Sequence, residues 1–154
     1  MRTVRLASAI AAALMAAATS AAAQDPAAAA TSGGMRASAG FTPDPIQVRI
    51  YSGGSIDASR LGGACVGMIA SAPDYEFTYT AGSFPLSFGV VSDRDTSLVI
   101  NGPDGRWYCN DDAEGLNPIL TWGRPPSGAY DIWVGAVGDA GPATLVITEG
   151  SLDY

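Results

Sequence analysis

"YEFTYTAGSFPLSFGVV", residues 75–91, decides how this chain is read. Tyr75, Phe77 and Tyr79 alternate with Glu76, Thr78 and Thr80; Leu86, Phe88 and Val90 repeat the pattern after a short break carrying Gly82 and Pro85. A period of two places one set of side chains on one face of an extended strand. Two such runs around a Gly/Ser/Pro break read as adjacent strands.

The pattern extends in both directions. Upstream, "IQVRIYS" sets Ile46, Val48 and Ile50 against polar partners. Downstream come "TSLVIN", "RWYCN", "PILTW", "AYDIWVGA" and "ATLVITE". The turn signals "SDRDT", "NGPDG", "DDAEGLNP", "RPPSG" and "GDAGP" fall between them. No sustained helical period follows the first two dozen residues. Short strands at this spacing predict an all-β, antiparallel β-sandwich from about Ile46 to Glu149. In "AYDIWVGA", Tyr130, Ile132 and Val134 point one way, Asp131 and Trp133 the other.

The beginning of the chain has a different texture. Arg2 and Arg5 precede an apolar, alanine-rich run that closes on Ala21 and Ala23, an A-x-A site. Residues 1–23 therefore read as a secretory signal peptide, too short and small-residued for a membrane anchor. Residues 24–43 are rich in Ala, Gly, Ser and Pro and read as a flexible lead-in. Residues 44–154 form the sandwich domain, and the expected state is a monomer. A mature chain of about 130 residues is one domain of ordinary size.

Every basic residue among the 154 is arginine, since the chain has no lysine and no histidine. Without Arg2 and Arg5, six arginines face fifteen acidic residues, a formal −9. Such a surface repels nucleic acid and anionic membranes. The two cysteines, Cys65 and Cys109, suit an oxidising compartment and predict one disulfide. Closing a loop of about 45 residues stabilises the fold by roughly 4 kcal/mol. The rival reading, two free thiols or a redox pair, lacks the C-x-x-C spacing such pairs use.

The elements Asp95-Thr96, Leu98, Pro103-Asp104-Gly105, Asn110-Asp111-Asp112, Gly115, Asn117, Pro126, Gly128, Tyr130, Ile132 and Val134 occur in an order that resembles the bacterial pre-peptidase C-terminal domain. The resemblance spans about residues 66–149. It implies a compact jelly-roll-like sandwich that accompanies secreted hydrolases, some relatives of which bind calcium and substrate. It carries over no calcium ligands residue by residue.

Catalysis has few routes. Ser-His-Asp, Cys-His and H-E-x-x-H chemistry all need histidine, and a Ser-Lys dyad needs lysine. Carboxylates alone remain. Asp95-Thr96-Ser97 resembles the D-T-[GS] of aspartic peptidases, but that mechanism needs two such aspartates sharing a proton. A glycosidase pair drawn from Asp93, Asp111, Asp112 and Glu114 would have to flank a sugar from one loop.

"CNDDAEGLNP", residues 109–118, offers another chemistry. Asn110, Asp112 and Glu114, followed by Gly115, match the opening of a calcium loop, with oxygen ligands at alternate positions and glycine at the turn. Asn stands first in place of Asp, and Thr121 stands where a bidentate Glu is needed. Asp93, Asp95, Asp104 and Asp111 are candidates to complete an oxygen shell. The bland reading is a turn whose side chains bond its own backbone. "SDRDT" and "DDAEGLNP" flank one hairpin, so both are expected at the same end of the sandwich. Trp107, Trp122 and Trp133 are candidate binding aromatics if exposed; otherwise they cover the disulfide or a sandwich edge. The function expected is an exported, non-enzymatic module that binds a protein, a polymer or the cell envelope, with calcium as candidate cofactor. The alternative is a carboxylate-dependent secreted hydrolase, a peptidase or glycosidase.

Overall fold

The structure is a computed structural model that describes residues 23–152. The expected signal peptide lies, but for Ala23, outside the described residues. Eleven strands run in chain order: β1 Gly34–Ser38, β2 Ile46–Tyr51, β3 Ile56–Asp57, β4 Met68–Ile69, β5 Tyr75–Thr80, β6 Leu86–Val91, β7 Thr96–Asn101, β8 Trp107–Asn110, β9 Ile119–Trp122, β10 Gly128–Ala136 and β11 Pro142–Thr148. One turn of 3-10 helix, Ala58–Leu61, follows β3. No helix among the described residues is long and apolar enough to cross a membrane.

The strands form two sheets. The larger runs β1-β5-β10-β7-β8, and β4 with β3 continues along β10 beyond the end of β5. The smaller runs β2-β11-β6-β9, antiparallel throughout. The alternating residues face inward as their period requires. Phe77, Tyr79, Leu86, Phe88, Val90, Leu98, Ile100, Tyr130, Ile132, Val134, Leu145 and Ile147 fill the space between the sheets. Phe77 meets Phe41 and Phe88 edge-on with ring centroids 5.8 and 6.1 Å apart, Phe41 meets Tyr79 edge-on at 6.3 Å, and Phe77 stacks on Tyr79 at 5.8 Å. Each such side chain, removed from water, stabilises the fold by ~1.5–3 kcal/mol. The all-β sandwich expected from the alternation is the fold found.

Two features depart from the expectation. The stretch 24–43, read as a flexible lead-in, contains β1, and β1 pairs with β5 in parallel. Its neighbours are tied down as well: the amides of Asp25, Thr31 and Ser32 donate to the carbonyls of Ser71, Pro73 and Asp74 at 2.7–2.9 Å. Phe41 then enters the core. An edge strand held by backbone bonds needs no apolar period, so composition does not announce it. Gly34 is required there, because a Cβ would stand 2.8 Å from the Glu76 carbonyl oxygen.

The second departure is a strap over the outer face of the larger sheet. Residues 56–69, which begin with β3 and end with β4, fold over the face that β7, β8 and β10 turn away from the main core. A second core gathers beneath: Ile56, Ala58, Cys65, Ile69, Val99 and Trp133, with Leu61, Trp107 and Cys109 against it. Two ties hold the strap to the sheet, and one bond closes it on itself. Cys65 is bonded to Cys109. The Ser97 hydroxyl donates to the Val66 carbonyl at 2.8 Å, and the Ala58 amide donates to the Gly67 carbonyl at 2.9 Å. Gly135 lets the strap seat, since a Cβ would run into the Ser97 hydroxyl and come within 3.1 Å of Ile69 Cγ2.

Candidate functional site

The two acidic connections do meet. "SDRDT" carries the chain from β6 to β7, and "DDAEGLNP" carries it from β8 to β9, at the open end of the β7-β8 hairpin. The Ser92 amide donates to Asn117 Oδ1 at 3.1 Å, which joins the loops directly. Asp95 is half-buried with one carboxylate oxygen sealed from water and unpartnered. Burial first, then the charges of Asp112 and Asp111, raises its pKa above the ordinary carboxylate value. The three aspartates therefore share one electrostatic neighbourhood.

The remaining candidates are occupied differently. Asn110 Oδ1 accepts from the Ile119 amide at 2.9 Å, and Asp111 Oδ1 from the Asp112 amide at 3.1 Å. Glu114 is exposed, in a backbone bridge with Asn117. Asp93 turns to the other side, into a shallow hollow of about 360 Å³ shared with Arg49, Ser92 and Thr144. Asp104 sits in the β7-β8 turn at the far end of the hairpin, bonded to the Tyr108 hydroxyl at 2.7 Å and the Arg106 amide at 3.1 Å. Among the described residues, no three Asp, Glu or Cys side chains stand where they could hold one metal ion. Asn110 and Asn117 use their side chains to fasten backbone, the behaviour of a tied turn.

The tryptophans take the covering positions expected of them if they are not exposed. Trp133 does point away from the main core, as the alternation requires, but the strap covers it completely. Trp107 packs on it with ring centroids 5.3 Å apart, beside the disulfide. Trp122 faces inward at the edge of the smaller sheet and meets Tyr108, Tyr130 and Phe88 at 5.0–5.6 Å. None of the three stands as a free platform.

Two carboxylates that the sequence reading did not single out are the most perturbed. Asp74, only 5% exposed, accepts from the Val134 amide at 2.7 Å. Burial raises its pKa to about 6 against the hydrogen bonds that lower it. Asp131 is opposite Glu76 across β10 and β5, and burial followed by the Glu76 charge raises its pKa to about 6. The signal for the second pair was present, since Glu76 and Asp131 are the polar positions of two strongly alternating strands; only their register was missing. The register runs on, Gly34–Glu76–Asp131–Asn101–Trp107, as one row across five strands of the outer face. In the next row Arg36 faces Thr78, beside a hollow of about 230 Å³ lined by Arg36, Ala37, Ser38, Thr78 and Thr80.

No family model matches the chain, and no curated protein matches it. Solved structures similar to it include the following two. The pre-peptidase C-terminal domain of a collagenase from Bacillus anthracis shares 11% identity with a TM-score of 0.46, over 75% of this chain and 94% of that one. PliG, a periplasmic inhibitor of g-type lysozyme from Aeromonas hydrophila, shares 14% identity with a TM-score of 0.40, over 75% of this chain and 96% of that one. The first belongs to the family whose motif order residues 66–149 resemble.

Proposed function

We propose that the chain is an exported, non-catalytic binding module whose partner is an extracytoplasmic protein. The observation that supports this best is where the perturbed carboxylates stand. Asp74 is buried and committed to the Val134 amide. Asp131 and Glu76 stand side by side on one sheet face, with no second wall opposite them. A glycosidase holds its two carboxylates on either side of the scissile bond, and an aspartic peptidase needs two aspartates sharing one proton. The hollows on the surface are shallow, and histidine and lysine are absent from the sequence. Export is supported by the disulfide, which persists in oxidising compartments.

For the hydrolase alternative, the strand register adds the pair Glu76 and Asp131 to the carboxylates named from the sequence. Incubating the purified protein with a broad peptide library and a panel of polysaccharides from pH 4 to 8 tests it. Intact substrates support a binding module. Hydrolysis that disappears in Asp131→Asn would overturn it.

A further inference from the structure

The free edge of β1 carries a specific pattern. In its parallel pairing with β5, the Glu76 amide donates to the Gly33 carbonyl and the Ala39 amide donates to the Thr80 carbonyl. With the register Gly34↔Glu76 through Ser38↔Thr80, the amides and carbonyls of Gly34, Arg36 and Ser38 must point the other way. β1 pairs with β5 alone and ends the sheet, and these groups have no hydrogen-bond partner among the described residues. An unpaired strand edge is a template for a further strand.

The face beside that edge is charged in a fixed order. Gly34 has no side chain, so a residue added next to it would look across it to Glu76 and then Asp131, aligned in the same row. Arg36 occupies the adjacent row on the same face, against Thr78. The salt bridges found among the described residues belong to Arg94 and Arg106, neither of which is near this row's carboxylates in the register. A like-charged pair facing each other across two strands repels unless a cation offsets it.

We infer that the open edge of β1 accepts an extended segment of a protein partner as an added strand of the larger sheet, with a lysine or arginine of that segment in the row of Gly34, over Glu76 and Asp131. The residue one row on, two positions along the segment, meets Arg36 and the hydroxyls of Ser38, Thr78 and Thr80, which suits an acidic or hydroxyl side chain. Backbone bonds to Gly34, Arg36 and Ser38 supply affinity, and the alternate side chains supply selection. This inference rests on the binding-module reading and names its partner's chemistry.

The test is selection of a phage-displayed random nonapeptide library on the purified protein. Enriched peptides should carry a basic residue, with an acidic or hydroxyl residue two positions away. Ser38→Pro removes an outward amide and no bond to β5, so it should fold with an unchanged circular dichroism spectrum and lose at least tenfold in affinity. Glu76→Gln with Asp131→Asn should abolish the basic preference while leaving the Ser38→Pro sensitivity. Binding indifferent to Ser38→Pro overturns the edge assignment and leaves a binding module. The absence of enriched peptides from a protein that does not self-associate also overturns the edge assignment. Self-association lost in Ser38→Pro, without enrichment, assigns the edge to a second copy and overturns the partner. Cleavage of the displayed peptides overturns the binding module itself.

Discussion

The Val134 amide lies 2.7 Å from Asp74 Oδ2, so the loop before β5 is fastened into the middle of β10 by a buried carboxylate. A carboxylate in that position works against the fold when charged and is kept because it satisfies a backbone amide.

Stability should therefore carry an acid-favoured component. Asp74 binds its proton more tightly in the folded chain, with a pKa of about 6 against 3.8. Asp131 is raised to the same value. The folded state then holds more protons than the unfolded one between those values, and stability falls as pH rises through that window, levelling off above it. Asp57 and Asp104, both lowered, work the other way. Comparing melting temperatures from pH 3.5 to 7.5 isolates the effect. Asp74→Asn keeps an acceptor for Val134 and should lose its share of the downward slope, at most about 3 kcal/mol. A variant that follows the wild-type pH curve would remove Asp74 as the cause.

Trp133→Ala should cost about 3–5 kcal/mol in chemical denaturation, as expected for emptying a sealed aromatic site. Tyr51→Ala, on the exposed face of β2, should cost a small fraction of that. Equal losses at the two positions would mean that the strap does not enclose Trp133 in solution.

Non-reducing peptide mapping should recover one cross-linked pair, Cys65 with Cys109, and no alkylatable thiol. Replacing both by serine should lower stability by roughly 4 kcal/mol in the chain-entropy account. The loss should coincide with greater proteolysis of residues 58–67, because the strap has few other ties. Cleavage first in the β7-β8 turn would contradict that account.

Neutralising Asp112 should raise the melting temperature at neutral pH, because its charge is among the causes that raise Asp95. Salt should produce the same rise in the wild type by screening. A calcium titration at constant ionic strength separates screening from coordination. The tied turn predicts no rise specific to calcium, and a rise that Asp112→Ala abolishes would restore the calcium loop.

Most strands were legible because both determinants of a half-buried strand, period two and turn residues at the ends, are local. Tyr75, Phe77 and Tyr79 declared their face without any knowledge of their partners. The direction of Trp133 was legible for the same reason. Its burial was not, because burial depends on what covers the outer face, and the covering segment 56–69 has little period of its own. The meeting of "SDRDT" and "DDAEGLNP" followed from hairpin geometry alone. Which side chains would hold amides did not, since Asn110 and Asn117 bond Ile119 and Ser92, partners that only the folded loops bring within reach. Glu76 and Asp131 became neighbours only through the register of β5 with β10, which no single strand contains.

The order of the smaller sheet bears on how the chain reaches its folded state. β11 is last in sequence yet lies between β2 and β6, pairing Ile147 with Ile46 and with Phe88. Until it arrives, β2 has no neighbour and the interior stays open to water. Pairings this distant in sequence make folding slow, in the range of milliseconds to seconds typical of β-sandwiches. Because β11 bridges β2 and β6, the smaller sheet closes over the interior only when that strand has joined, so its docking is the step that seals the core.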